Sequence, residues 1–243
     1  MAFSTNGSLT SYFDYKPGTA NYLINVSERY GLVYVETPKV GCTTIKRFLQ
    51  EIEAEPGADL PGNVHDKKNS PVQSPNSSQY TVDQILGGAR FVRFSFVRNP
   101  YTRIVSAYLD KIVTNQWEKQ RRLPPLGYDP NDEVEFHDFL KSISRYPPER
   151  MDIHWMPQHT ILRPDRIDYE FMGRFETFTE SFQYFVEQFL PTHLNRVPTE
   201  NAAKHRTNAD ARVKELVGPK EDALIRQLYE QDFKTFDYHY HMI

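Results

Sequence analysis

The sequence predicts an α/β protein with a central, mostly parallel sheet flanked by helices, and three observations predict it. Two short apolar runs, residues 32–35 and 91–97, are rich in the β-branched and aromatic residues that suit a buried strand. Each runs straight into apolar residues at helical spacing: Ile45, Phe48 and Leu49 after the first, Ile104, Val105, Tyr108, Leu109 and Ile112 after the second. Strands separated by helices return as parallel neighbours through right-handed crossovers.

Taken in order, residues 1–30 read as an irregular arm, with 21–30 either a short helix or an edge strand. The first strand stops at Pro38, which cannot donate to a ladder, and the helix after it ends near Glu55, before Pro56 and Gly57. Residues 56–80 are loaded with Pro, Gly, Asn and Ser and form a long loop, the kind that in a compact domain is functional or mobile. Thr81 to Gln84 matches a capping box that opens a short helix, ended by Gly87-Gly88. The second strand leads into Arg98-Asn99-Pro100, with Pro100 placed as a first helical residue. Residues 117–131 read as a basic, Pro-rich connection, 133–144 as a helix and 147–166 as irregular. A short strand at 169–172 precedes a second capping box, Thr177 to Glu180, and an aromatic helix to Leu190. A polar loop over 191–208 leads to a last helix that starts at Gly218-Pro219, with Leu224, Ile225, Leu228 and Phe233 on its apolar face.

Composition excludes several classes. The 243 residues carry a net charge of −3, which is unlike a nucleic-acid binder, so any anion site must be a local cluster of Lys and Arg. The 16 Phe and 15 Tyr fill a core although hydrophobic residues total only 39%. No 18-residue apolar run or secretory leader is written, so no membrane span is expected. Cys42 is the single cysteine. A disulfide scaffold is thereby excluded, and a reducing, cytoplasmic setting is expected.

Residues 31–46, GLVYVETPKVGCTTIK, read as strand, Gly-containing turn and helix, a design that aims backbone amides and a helix N-terminus at an anion. Lys39 adds a mobile cation, and Thr43 and Thr44 add hydroxyl donors. An ordinary turn capped by Thr43 would look the same. The Walker pattern GxxxxGK[ST] is absent. Arg98 and Ser106, eight residues apart across the second strand–helix junction, suit a phosphate monoester, since an arginine fork gives a strong, directional grip. Taken singly they are also a surface arginine and a helix serine. Together the two motifs describe a ligand with anionic groups at both ends.

These stretches resemble a known family. PKVGCTTIK (residues 38–46) resembles the 5′-phosphosulfate loop of carbohydrate sulfotransferases, and RNPYTRIVSAYLDK (98–111) resembles their 3′-phosphate motif, including the Arg-to-Ser spacing. The resemblance is closest to the chondroitin and dermatan 4-O-sulfotransferases and their glucuronyl 3-O-sulfotransferase relatives. It continues in HWMP (154–157), YEFMGRFETF (169–178) and LYEQDFKTFDY (228–238), spanning roughly residues 31–240 in the family's order. Animal members are Golgi enzymes with an N-terminal anchor, and they carry a cysteine pair where this sequence has Leu162-Arg163-Pro164-Asp165-Arg166. This chain has neither feature, which loosens the inference about its acceptor and agrees with a cytoplasmic branch.

The resemblance implies a P-loop-like three-layer sandwich. It also implies 3′-phosphoadenosine 5′-phosphosulfate (PAPS) as donor, transfer of its sulfuryl group to an acceptor hydroxyl, and no metal. Residues 1–243 then form a single domain: an arm (1–30), a donor-binding core (31–115), an irregular acceptor side (116–166) and a C-terminal helical part (167–243). Lys39 neutralises the leaving oxygen. Val40, Gly41, Cys42, Thr43 and Thr44 hold the 5′-phosphosulfate, and Arg98 and Ser106 take the 3′-phosphate. Lys46 is read as facing solvent. The acceptor proton needs a base with a pKa near working pH. His65, on the long loop, is the first candidate and His154 the second, with Glu36, Glu176 and Asp110 as carboxylate alternatives. Cys42 reads as a small residue in a cradle and not as a nucleophile. The acceptor is expected to be a saccharide, with a small metabolite, lipid or protein as alternatives, and a kinase-like nucleotide-binding protein as the competing class.

Overall fold

A computed structural model describes residues 7–194 and 209–240. Its sheet has four strands in the order β1-β2-β3-β4, namely Ile24–Ser27, Leu32–Val35, Val92–Val97 and Phe171–Arg174. β1 pairs antiparallel with β2, from Ile24 opposite Val35 to Ser27 opposite Leu32. The β2–β3 and β3–β4 pairs are parallel. The fold is therefore the α/β architecture the sequence predicts, with one antiparallel edge. All four residues of β2 are buried, as expected of a strand covered on both faces.

The alternation along the strands puts Leu32, Tyr34, Phe94 and Phe96 into one core with Phe48 and Leu49 from the helix Cys42–Glu53 and Phe182 and Phe185 from the helix Phe178–Phe189. Phe48 meets Phe182 edge-on at 5.0 Å, and Phe94 stacks on Phe185 at 4.1 Å. Gly173 of β4 faces the Phe96 ring so closely that a Cβ would lie 2.3 Å from it. Aromatic mass here requires a missing side chain there.

The chain divides into two compact units, Met1–Val97 with Leu162–Ala203, and Arg98–Ile161 with Lys204–Ile243. The first holds the sheet. The second contains the helix Pro100–Tyr108, a π-helical turn Leu109–Thr114, and the helices Gln116–Arg122, Phe136–Ile143, Ala209–Leu216, Pro219–Leu228 and Glu230–Thr235.

Several expectations change. The described part of the N-terminal arm, from residue 7, is not irregular: helices Leu9–Tyr12 and Pro17–Leu23 precede β1, so residues 21–30 hold both a helix end and an edge strand. The Pro-rich connection contains the helix Gln116–Arg122, because Asn115 caps it by accepting from Glu118 N. The stretch 147–166 contains a helix, Gln158–Leu162. The capping box at Thr81 forms, but Thr177 makes no side-chain cap. Of the loop read at 191–208, residues 195–208 lie outside the described residues.

Candidate functional site

The first motif belongs to the sheet-bearing unit. After β2 the chain turns through Glu36 to Gly41 and enters the helix Cys42–Glu53. Val40, fully buried, anchors the turn in the core. Lys39 and Gly41 both have left-handed backbones, φ 71° and 76°. That conformation costs a residue with a Cβ about 1 kcal/mol or more, so a lysine held in it is a strained position worth a functional explanation. Gly41 is required twice over: its φ suits glycine, and a Cβ would lie 2.9 Å from the Phe178 ring. As N-cap it brings no side chain to the first amides, so the ordinary turn capped by Thr43 is not what forms. Thr44 N and Ile45 N turn to the Gly41 carbonyl at 3.0 and 3.2 Å. Thr43 is half-buried and Thr44 buried.

Beneath this turn lies a buried charge cluster. Lys46 is 3% exposed and donates to Glu36 Oε2 at 2.9 Å, so it does not face solvent as expected. His65 joins through Nδ1, which lies 3.1 Å from Lys46 Nζ, 3.5 Å from the Tyr22 hydroxyl and 3.8 Å from Glu36 Oε1. Lys67 Nζ donates to Asn25 Oδ1 at 2.7 Å and to the Ile24 carbonyl at 3.1 Å. Tyr22 offers its ring to both ammonium groups, 5.2 Å from Lys46 and 5.8 Å from Lys67. Burial works to raise the Glu36 carboxyl, but Lys46, His65 and Lys67 outweigh it and hold the group below its ordinary value. Burial, helped by the Lys46 charge, pushes Lys67 down to about 7. Cys42 moves the other way: burial and the Glu36 carboxylate push its thiol up to about 12, which makes it a poor nucleophile.

The long loop that carries His65 is held to the helix Cys42–Glu53. Arg47 Nη2 donates to the Pro61 carbonyl at 2.8 Å, and buried Gln50 donates to the Val64 carbonyl at 3.1 Å. Lys46, Gln50 and Glu53 thus make a polar stripe at helical spacing beside the apolar one formed by Ile45, Phe48, Leu49 and Ile52. In the sequence that stripe looks like an ordinary solvated face, so reading it did not reveal the burial of Lys46 or bring Tyr22 and Lys67 to His65.

The second motif belongs to the other unit. Asn99 caps the helix Pro100–Tyr108 by accepting from Tyr101 N at 2.9 Å. Arg98 and Ser106 are both buried, and Arg98 Nε donates to Thr102 Oγ1 at 3.0 Å. Arg103, off the apolar stripe, is nonetheless 1% exposed and donates to the Met156 and Ile153 carbonyls at 2.8 and 3.2 Å. It anchors the segment that carries His154. His154 Nδ1 lies 2.6 Å from Asp152 Oδ1, and Asp152 also pairs with Arg122. Burial lowers the His154 pKa against the raising pull of Asp152. The neutral imidazole then donates its Nδ1 proton to Asp152. Asp110 pairs with Lys111 at 3.3 Å. No group of three or more metal-ligating side chains occurs among the described residues.

Both motifs fall inside residues 22–239, which match the model of the sulfotransferase family. Carbohydrate sulfotransferase 10 of Xenopus laevis is 27% identical over 241 residues, covering 88% of this chain and 67% of the relative. Carbohydrate sulfotransferase 14 of Mus musculus is 29% identical over 198 residues, covering 74% and 50%. Carbohydrate sulfotransferase 11 of Mus musculus is 24% identical over 249 residues, covering 91% and 68%. The chain spans half to about two-thirds of the length of these relatives. No solved structure gives a significant match. A family match that takes in both anion motifs and the sheet that carries the first leaves one assignment: the chain belongs to the sulfotransferase family.

Proposed function

We propose that the chain moves a sulfuryl group from PAPS to a hydroxyl of a carbohydrate. The observation that carries this reading is the turn 36–41 itself, a strained lysine set two residues before a helix N-terminus that has no side-chain cap, inside a sulfotransferase match. Such an N-terminus suits an anionic group. The carbohydrate acceptor rests on the relatives, which are named as carbohydrate sulfotransferases.

In this scheme the amides of residues 40–44 and the Thr43 and Thr44 hydroxyls hold the 5′-phosphosulfate, while Arg98 and Ser106 take the 3′-phosphate. When bound, the donor supplies a sulfuryl group whose bond to the 5′-phosphate oxygen breaks as a bond to the acceptor oxygen forms. Lys39 places its charge at that leaving oxygen, where positioned charge stabilises a transition state most. His65 takes the acceptor proton. Its Nδ1 stands 3.1 Å from the donor-only ammonium of Lys46, an arrangement that leaves the ring proton on Nε2. Accepting at Nε2 therefore requires the ring to change tautomer, give up the Lys46 contact and turn its Nδ1–H towards Glu36. Lys46 then stays with Glu36 Oε2 and keeps the carboxylate in place.

His154 is the second reading for the base, favoured by one observation: its Nδ1–Asp152 contact already fixes the tautomer whose Nε2 can accept. Turnover of labelled sulfate in His65→Ala and His154→Ala separates the two. Loss of a general base costs about 10²–10⁴-fold, expected here for His65→Ala with donor binding kept. The same loss in His154→Ala alone would transfer the role to His154.

We further read residues 1–243 as one working domain, because neither compact unit is a continuous stretch of chain. We place the protein in the cytoplasm, on the support of a single cysteine with no intrachain partner. For the donor, calorimetry with 3′-phosphoadenosine 5′-phosphate against ADP is the direct test. Equal binding of both would return the chain to a general nucleotide-binding role.

A further inference from the structure

Arg98 stands where the chain leaves β3 and enters the helix Pro100–Tyr108. Its two main-chain groups at that junction are both taken by one side chain. Gln158 Oε1 accepts from Arg98 N at 2.8 Å, and Gln158 Nε2 donates to the Arg98 carbonyl at 2.8 Å. A primary amide is the side-chain group that offers a donor and an acceptor side by side in this way. Gln158 is fully buried, and its own main chain is held in turn. Asp232 Oδ2 accepts from Gln158 N at 2.8 Å, and Asp232 Oδ1 accepts from His159 N at 2.7 Å. Asp232 too is fully buried. The run from Asp232 through Gln158 to the Arg98 backbone is thus continuous, buried and hydrogen-bonded at each step. At the far end, Thr102 Oγ1 accepts from Arg98 Nε, so the guanidinium is restrained from the same short segment.

We infer that Gln158, seated by Asp232, is a positioning residue for Arg98: it fixes the main chain from which the guanidinium addresses the donor's 3′-phosphate. This rests on the proposed 3′-phosphate role of Arg98. Burial of Gln158 alone could serve only to satisfy two buried backbone groups. The positioning role makes a sharper demand, because it touches one part of the ligand and not the rest. A bidentate grip depends on direction as well as charge, so a small tilt of the Arg98 backbone should weaken the 3′-phosphate contact and leave the remaining contacts alone.

The experiment measures dissociation constants of the full chain for 3′-phosphoadenosine 5′-phosphate and for AMP, which lacks the 3′-phosphate. The variants are Gln158→Glu, Gln158→Met, which loses both acceptor and donor, and Arg98→Ala. Gln158→Glu keeps the acceptor and sets a carboxyl oxygen against the Arg98 carbonyl and Asp232 Oδ2. That oxygen donates only when protonated, so the variant is read at alkaline pH. The ratio of the two constants isolates the 3′-phosphate and is insensitive to the fraction of protein folded. We expect the ratio of the AMP constant to the 3′-phosphoadenosine 5′-phosphate constant to fall about tenfold or more in both Gln158 variants, with AMP binding unchanged. If Gln158→Met does not fold, Gln158→Glu decides. A wild-type ratio in the Gln158 variants, or equal weakening of both ligands, overturns the positioning role provided Arg98→Ala collapses the ratio. A wild-type ratio in Arg98→Ala removes the 3′-phosphate reading and this inference with it.

Discussion

Lys39 is the residue on which the proposed chemistry turns, and its backbone carries a penalty that its side chain must justify. A left-handed φ of 71° is easier for glycine, so a lysine is retained there for its ammonium. Removing one positioned group that stabilises transition-state charge costs about 10²–10³ in turnover. Lys39→Ala is therefore expected to lose turnover on that scale while still binding 3′-phosphoadenosine 5′-phosphate, as read by labelled-sulfate assay and calorimetry. Loss of binding with turnover preserved at saturation would assign the lysine to holding the donor instead. The neighbouring charges are a different kind of residue. Glu36 and Lys46 are both almost wholly buried, and each depends on the other, since a single buried charge without its partner is strongly unfavourable.

At the scale of the element, the turn 36–41 and the helix after it act as one piece, with Gly41 the hinge of its geometry. Gly41→Ala meets both an unfavourable φ and the Phe178 ring at 2.9 Å, so we expect a loss of about 1–3 kcal/mol. Chemical denaturation reads that loss, together with weaker donor binding; an unchanged midpoint would show that the Phe178 ring gives way freely. The sequence displayed this element well. Strand, turn and helix were legible because Leu32–Val35 and the stripe from Ile45 to Ile52 follow the periods of strand and helix without conflict. What stayed illegible was the environment of polar residues. Lys46 sits beside the apolar stripe, and its burial depends on Glu36 and His65, which are local to it only after folding. The helix Gln158–Leu162 was hidden for a related reason: its start relies on Asp232, far along the chain, and a partner distant in sequence leaves no local mark. The helix Gln116–Arg122 is the opposite case, since its cap, Asn115, is local and was legible.

For the whole molecule, stability should follow the titration of buried acids and one buried lysine. Glu36 and Asp152 are held below their ordinary values: for Glu36 the neighbouring cations outweigh burial, and for Asp152 the hydrogen bond from His154, helped by the Arg122 charge, outweighs it. Their contribution is present above the unfolded carboxyl pKa of about 4 and is lost as pH falls through the lower folded values. Asp232 works in the opposite sense, since burial raises it. Its contribution is present below the unfolded pKa and is lost as pH rises through the folded one. Lys67, pushed down to about 7, has released its proton in the folded state over a range where the unfolded chain still holds it. Stability from Lys67 therefore rises with pH from about 7 towards 10. In calorimetric scans the midpoint of unfolding is expected to drop steeply below about pH 4. Lys67→Met should flatten the slope on the alkaline side; a slope identical to wild type would show that Lys67 keeps its proton when folded.

Cys42 has a practical consequence. It is the single sulfhydryl in 243 residues, it opens the helix at the anion turn, and its thiol is suppressed while the fold around it is closed. Alkylation at this position is therefore slow while the turn is closed, and no other thiol in the chain competes for the reagent. The rate at which one mass tag appears becomes a clock for breathing at residues 36–46, and a ligand seated on those amides should slow it.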